Sequence, residues 1–338
     1  MKNTLYLISN EKIFQNNEMF FCDNLDMKST PEGLNKHFDV KIIARKSKVN
    51  RLQKLNLSTI KTFSNILSYM LEIIKSSKHN NSQFLIISLN PYTFLAGIVL
   101  ILLGRKPYLY LRSNGYDEYK IILGFLGKFI YHLMFTIITR FSILISCREY
   151  ILMGKKGHII SPSQLDSSWH QNHVKPSISD IRLIYVGRIK KEKGIFSLLN
   201  LIKEQFKINL TIVGASEEDK IIYQSNVNTL KIVQDKKELI NLYDKNNITI
   251  LPSYTEGYPM IILESLSRLR PIIVFREIEH VVENRKGIFV TTRDYSSLSE
   301  TIKHIINNYD SIQESMKSNK LPDNDTFINQ LKEILSKN

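Results

Sequence analysis

Apolar residues fall into short continuous runs separated by longer stretches where they recur every three or four positions. The short runs predict fully buried strands at 4–9, 40–45, 84–89, 107–113, 141–147 and 158–161, and the longer stretches predict helices at 57–77, 91–104 and 117–138. From Ser161 to Asp180 the periodicity fails in a segment rich in Ser, Pro, Asn and His, which reads as a linker. Strand patterns resume at 181–186, 208–214, 229–234, 248–251, 271–275 and 287–291, and the last helices are expected at 295–308 and 326–336. Repeated strand–helix–strand units with apolar strands predict parallel sheets covered on both faces. The fold class is therefore α/β, with Rossmann-like domains at 1–165 and 181–338 joined through 166–180.

The chain has 338 residues, enough for two domains with separate cores. Its 43% hydrophobic and 23% charged content is that of a folded protein. Cys22 and Cys147 each lie in or beside an apolar run, predicting reduced buried thiols in a reducing, cytoplasmic compartment. The opening apolar run is too short for a signal peptide, and the run 94–104 is too short to span a bilayer. The apolar stretch 121–147 is interrupted by Lys128, His132 and Arg140. It is expected to be a core or interfacial helix followed by a strand: packing inside the domain, with the neighbouring basic surface touching lipid, is the default, and docking of the helix itself on a membrane surface is the alternative. Residues 1–175 hold 23 Lys and Arg against 11 Asp and Glu, whereas 176–338 hold 23 against 21. The excess near +12 in the first half is either a solvated lysine-rich surface or a face for something anionic: a membrane, a phosphate-bearing acceptor or nucleic acid.

Two segments of the second half carry candidate chemistry. In SYTEGYPMIILESLS, 253–267, a strand ends at Pro252 and a helix starts near Pro259. The amides of Gly257, Tyr258, Met260 and Ile261 then form a candidate anion site at the helix start. Glu256 sits in the turn, and Glu264 is an acid on an otherwise apolar face, where a carboxylate needs a partner. The bland reading makes Glu256 a cap and Glu264 an edge residue. In IRLIYVGRIKKEKG, 181–194, a strand ends at Gly187-Arg188, and Lys193-Gly194 opens the next helix. Alone, this is a basic surface loop.

Together the two segments resemble the retaining glycosyltransferases of family 4, which have the GT-B fold. The resemblance covers most of 181–291, and the first half matches in architecture only. It implies two Rossmann-like domains facing across a cleft, with the last helix packing back on the first domain. It also implies that Glu256 contacts donor-sugar hydroxyls, that Glu264 binds the nucleotide ribose, and that Arg188 and Lys193 supply cations to the donor diphosphate. The loop after Val213-Gly214 and the turn at Val233-Gln234 sit where relatives clasp the nucleobase, and Glu279 matches an acid common in the family, though it equally suits a helix cap. No metal or other cofactor is implied, because cations and amides stabilise the leaving phosphate.

In the first half, relatives carry a glycine-rich turn where this chain has Ser9-Asn10-Glu11, and a histidine near Arg112–Glu118, where this chain has none. Arg112, Asn114 and Asp117 are the candidates for sugar or acceptor contacts; a polar turn with Asp117 as cap is the alternative. His170 and His173, three apart, read as linker residues. Asp323-Asn324-Asp325 has the form of a metal-binding Asp-x-Asp, but its place before a helix makes it a cap.

The expected activity is transfer of a sugar from a nucleotide sugar to an acceptor hydroxyl in surface polysaccharide assembly, with a glycan or lipid-linked acceptor and peripheral contact with an anionic membrane. The alternatives are a GT-B epimerase or phosphorylase, or a basic nucleic-acid-binding protein, although no nucleic-acid motif is present.

Overall fold

The computed structural model describes residues 2–79, 81–203, 207–215 and 225–337. The chain divides into two compact units, Met1–Gln164 with Asp323–Asn338, and Leu165–Pro322.

The first unit is built on a parallel sheet in the order Thr59–Phe63, Asp39–Lys46, Thr4–Asn16, Ser82–Ile87, Tyr108–Leu111, Ile143–Ser146 and His158–Ile159. The central strands are buried on both faces, as their unbroken apolar runs require. The C-terminal helix Asn324–Ser336 belongs to this unit: Phe327, Ile328 and Leu331 enter its core. A Cβ on Gly33 would stand 2.6 Å from Ile328, so the helix Asp26–Leu34 meets the C-terminal helix at close range.

Three local expectations change here. Ser9-Asn10-Glu11 is not a loop but a bulge in the long strand Thr4–Asn16, which continues into an antiparallel hairpin with Met19–Cys22 around Asn17 at φ 52°. Residues 59–63, expected as helix, pair with Asp39–Lys46, and the helix proper starts after Asn65, which accepts from Ser68 N at 2.9 Å. The β-branched Thr59, Ile60 and Thr62 suit an extended backbone, which pairs in parallel with Lys41–Arg45.

The segment 117–138 also departs from expectation, because much of it is not packed inside the domain. Helix Gly115–Ile138 has the length and apolarity of a membrane span. It is broken at Gly124, and Ile122, Phe125 and Leu126 are 72, 84 and 69% exposed. Only a base that includes Tyr116, Tyr131, Met134, Phe135 and Ile138 is buried.

The second unit carries a parallel sheet in the order Val227–Lys231, Ile208–Ala215, Ile181–Val186, Ile248–Leu251, Ile272–Phe275 and Ile288–Thr291. Within the stretch read as a linker, Trp169 is buried in this unit's core, edge-on to Tyr243 at 5.9 Å. Two arginines fix that stretch. Arg268 is 1% exposed, donates to the carbonyls of Trp169, Gln171 and Asn172, and pairs with Asp244 at 2.7 Å. Arg270 donates to the carbonyls of Val174, Tyr243 and Asn246. A buried guanidinium needs its donors matched, and the carbonyl and carboxylate partners do so here. His173 donates to the Ser267 carbonyl at 2.8 Å.

Candidate functional site

At the ends of the first two central strands of the second unit, backbone approaches backbone. Gly187 donates its amide to the Val213 carbonyl at 2.9 Å, and a Cβ on Gly214 would stand 2.4 Å from the Gly187 carbonyl oxygen. Gly214 has φ 123°, so only glycine meets both demands. Farther along, Gly194 has φ 67°, and a Cβ there would stand 1.8 Å from the Pro252 carbonyl oxygen. That contact presses the Lys193-Gly194 turn against the end of strand Ile248–Leu251. Tyr254 N donates to the Glu192 carbonyl at 3.0 Å and fastens the two turns again.

The consequence is an ion pair. Lys193 Nζ donates to Glu256 Oε1 at 2.7 Å, with the side chains 22% and 10% exposed. Ser253 Oγ donates to the same oxygen at 2.6 Å, and His280 Nε2 donates to the Glu256 carbonyl at 2.9 Å. Glu256 is therefore held by Lys193 and Ser253, and does not cap the helix. Pro259 occupies the N-cap of Met260–Ser267, and no side chain among the described residues caps it, so the first amides of that helix carry its positive end outward. Gly257 and Tyr258 lie half-buried in the turn before it.

Glu264 has the partner its surroundings demand: Tyr243 OH donates to Glu264 Oε2 at 2.7 Å. Burial, with the Glu264 charge next, pushes the Tyr243 phenol well up. Arg188 is exposed at the strand end, and its carbonyl accepts from Tyr185 OH at 2.8 Å. The Tyr185 phenol is pushed up by burial first and by Glu256 next, while Arg188 acts in the opposite direction, so both charges are felt at one hydroxyl. Arg293 supports the floor: it donates to the Pro252 carbonyl at 3.0 Å, pairs with Glu277 at 2.8 Å and stacks on Tyr254 at 4.1 Å.

The remaining candidates are placed as follows. Val233 is half-buried and Gln234 exposed, in the connection between Val227–Lys231 and the helix Lys236–Lys245. The loop after Gly214 lies, from residue 216, outside the described residues. Glu279 is exposed in the turn Arg276–Val281. In the first unit, Arg112 is engaged with Asp26 at 3.0 Å. Asn114, not Asp117, caps the next helix, accepting from Tyr116 N at 3.1 Å while its own amide donates to Asp117 at 2.7 Å. Asp323 accepts from Thr326 N at 2.7 Å as the cap of the last helix. Ser253, Tyr185, Tyr243, His280 and Arg293 were not singled out by sequence reasoning. Ser253 and Tyr185 lie inside the two segments quoted above and Tyr243, His280 and Arg293 outside them, and all five roles come from strands and helices meeting.

Residues 169–321 match the family model of the glycosyl transferases group 1. Among curated relatives, the chain is 28% identical over 173 residues to the capsular polysaccharide biosynthesis glycosyltransferase CapM of Staphylococcus aureus, a match covering 46% of this chain and 44% of that protein. The chain thus spans less than half the length of that relative. Similar solved structures are a sucrose-phosphate synthase from Thermosynechococcus elongatus, with TM-score 0.72, 14% identity and 98% of both chains covered, and HepE of Anabaena in complex with UDP-glucose, with TM-score 0.71, 12% identity and 98% and 99% covered. At those identities the likeness establishes the fold, which is GT-B: α/β with two parallel-sheet domains. The similarity to the glycosyl transferases group 1 rests on the segment 169–321, which holds Lys193, Glu256 and Glu264.

Proposed function

We propose that the protein is a retaining glycosyltransferase that moves a sugar from a nucleotide-sugar donor to an acceptor hydroxyl, without a metal ion. The Lys193–Glu256 pair beside the start of Met260–Ser267 is the observation that carries this reading. A diphosphate seated at that helix start meets two amides and Lys193, and the exposed Arg188 side chain is available to it. Once the phosphate takes Lys193, the Glu256 carboxylate is released toward sugar hydroxyls. Glu264, steadied by Tyr243, accepts from the ribose. As the bond from the anomeric carbon to the phosphate oxygen breaks, the electron pair leaves with the nucleoside diphosphate. The preplaced cations and amides stabilise the charge that grows there.

The acceptor hydroxyl attacks from the same face, and its proton passes to the departing phosphate oxygen, so configuration is retained and no enzyme nucleophile is needed. Arg112, Asn114 and Asp117 remain the candidates for acceptor contact. The CapM likeness supports a place in bacterial surface polysaccharide assembly with a glycan or lipid-linked acceptor, and two buried free thiols, Cys22 and Cys147, suit a cytoplasmic site at the inner face of the membrane.

Incubation with UDP-, GDP-, ADP- and CMP-sugars should release one nucleoside diphosphate and, with acceptor, yield a glycoside whose anomeric configuration by NMR matches the donor. Epimerised or phosphorolysed sugar as the sole product would contradict transfer.

A further inference from the structure

The first unit carries a device that donor chemistry does not use. Gly115–Ile138 is two helical arms: at Gly124, φ 66° and ψ −146° form a conformation essentially confined to glycine, and the chain folds back there. The arms are close. A Cβ on Gly127 would stand 2.0 Å from the Tyr119 carbonyl oxygen, and one on Gly115 would stand 2.0 Å from the Tyr131 ring. Tyr116 packs on Tyr131 and Phe135 at 4.9 and 5.8 Å, with its hydroxyl 2.9 Å from His132 Nδ1. The hairpin base is therefore fixed.

Its tip is bare. Ile121, Ile122, Leu123, Phe125 and Leu126 are 55, 72, 53, 84 and 69% exposed. These are neighbours in sequence, so they point in every direction around the turn. A flat protein partner covers one helix face, at three- and four-residue spacing. A tip that is apolar all round requires a medium that surrounds it. From Tyr119 to Leu133 no acid occurs, and Lys120 and Lys128 flank the turn.

We propose that this hairpin is a membrane anchor whose tip enters one leaflet of an anionic bilayer, with Lys120 and Lys128 at the level of the lipid phosphates. The first arm, Gly115 to Leu123, rises about 13 Å at ~1.5 Å per residue, less than half of a hydrocarbon core of roughly 30 Å. The segment docks in the membrane without crossing it. This deepens the reading of a membrane-facing enzyme but rests on the first unit alone, not on the donor site.

The test uses the full chain and phosphatidylcholine vesicles with or without phosphatidylglycerol. Wild type and Phe125→Trp should sediment with the anionic vesicles. The emission of the introduced indole should shift to the blue and be quenched by bromine on the lipid tails; the native Trp169 is buried and silent to the quencher. Ile122→Glu with Phe125→Glu should bind at least roughly tenfold more weakly, with unchanged circular dichroism and an unchanged thermal shift on adding UDP. Lys120→Gln with Lys128→Gln should lose most of the preference for phosphatidylglycerol. Wild type left in the supernatant with both vesicle types, or a double-Glu variant that binds as wild type does, would overturn the anchor. So would a lipid-free dimer that the double-Glu variant dissolves, which would make the tip a contact between copies. Samples in which none of UDP, GDP and ADP gives a thermal shift would count against the donor site and leave the anchor standing.

Discussion

Lys193 Nζ and Glu256 Oε1 are 2.7 Å apart, joined across 63 residues of sequence by the contact of Gly194 with Pro252. A cation proposed to meet phosphate and an acid proposed to meet sugar thus neutralise each other. Glu256→Gln keeps the shape but removes the charge that holds Lys193. It should lower transfer by at least ~100-fold, yet bind free nucleoside diphosphate at least as tightly as wild type. Steady-state rates and calorimetry on the same preparation check both halves, and unchanged transfer would displace Glu256 from the reaction.

Tyr243 reaches Glu264 through one hydroxyl. Tyr243→Phe leaves that carboxylate short of a donor, at a cost of about 1 kcal/mol in stability. Nucleoside diphosphate should bind several-fold more weakly, whereas inorganic pyrophosphate, which has no ribose, should be unaffected. Equal loss for both ligands would place the effect on the phosphates and not on Glu264.

Gly194 and Gly104 both have left-handed backbone, φ 67° and 74°, but among the described residues a Cβ meets the Pro252 carbonyl at the first and nothing within 4 Å at the second. Gly104→Ala should cost only the backbone strain of about 1 kcal/mol, and Gly194→Ala clearly more, roughly 2–4 kcal/mol, with loss of transfer. Denaturant midpoints of the two variants give the comparison directly.

Burial pushes the thiol of Cys22 up to about 12 and that of Cys147 up to about 11, from 9.0. Both folded values lie above the unfolded one, so the unfolded chain loses these protons first. Their contribution is fully present below pH 9 and is lost as pH rises through 11 and 12. The melting temperature should therefore fall across that alkaline range, and a Cys22→Ser, Cys147→Ser variant should show a shallower fall. A disulfide-exchange reagent at neutral pH should label neither thiol until the chain unfolds.

The sheet of the second unit was legible from its central strands, because Ile248–Leu251 and Ile272–Phe275 are buried on both faces and read as almost unbroken apolar runs. Lys193, Glu256 and Glu264 were legible as residues, since glycine, proline and acid positions around a helix start leave a local signature. Their partners were not. Tyr243 reaches Glu264 from 21 residues away, and Arg268 and Arg270 pair with Asp244 and distant carbonyls. Such meetings depend on how helices cross the sheet, which no local spacing encodes. The hairpin at Gly124 escaped for the opposite reason. Its apolar composition is that of a packed helix, and only the φ of one glycine turns its side chains outward.

The turn bounded by Arg188, Lys193 and the start of Met260–Ser267 is proposed to hold the diphosphate of a nucleotide sugar. Isothermal calorimetry of the full chain with UDP, GDP and ADP, and with CMP as the nucleotide that lacks a diphosphate, measures that contact. Saturable binding of one of the three diphosphates is expected, weakened at least roughly tenfold in Arg188→Ala and in Lys193→Ala. Flat titrations with all three diphosphates, or binding that both variants retain in full, would overturn it.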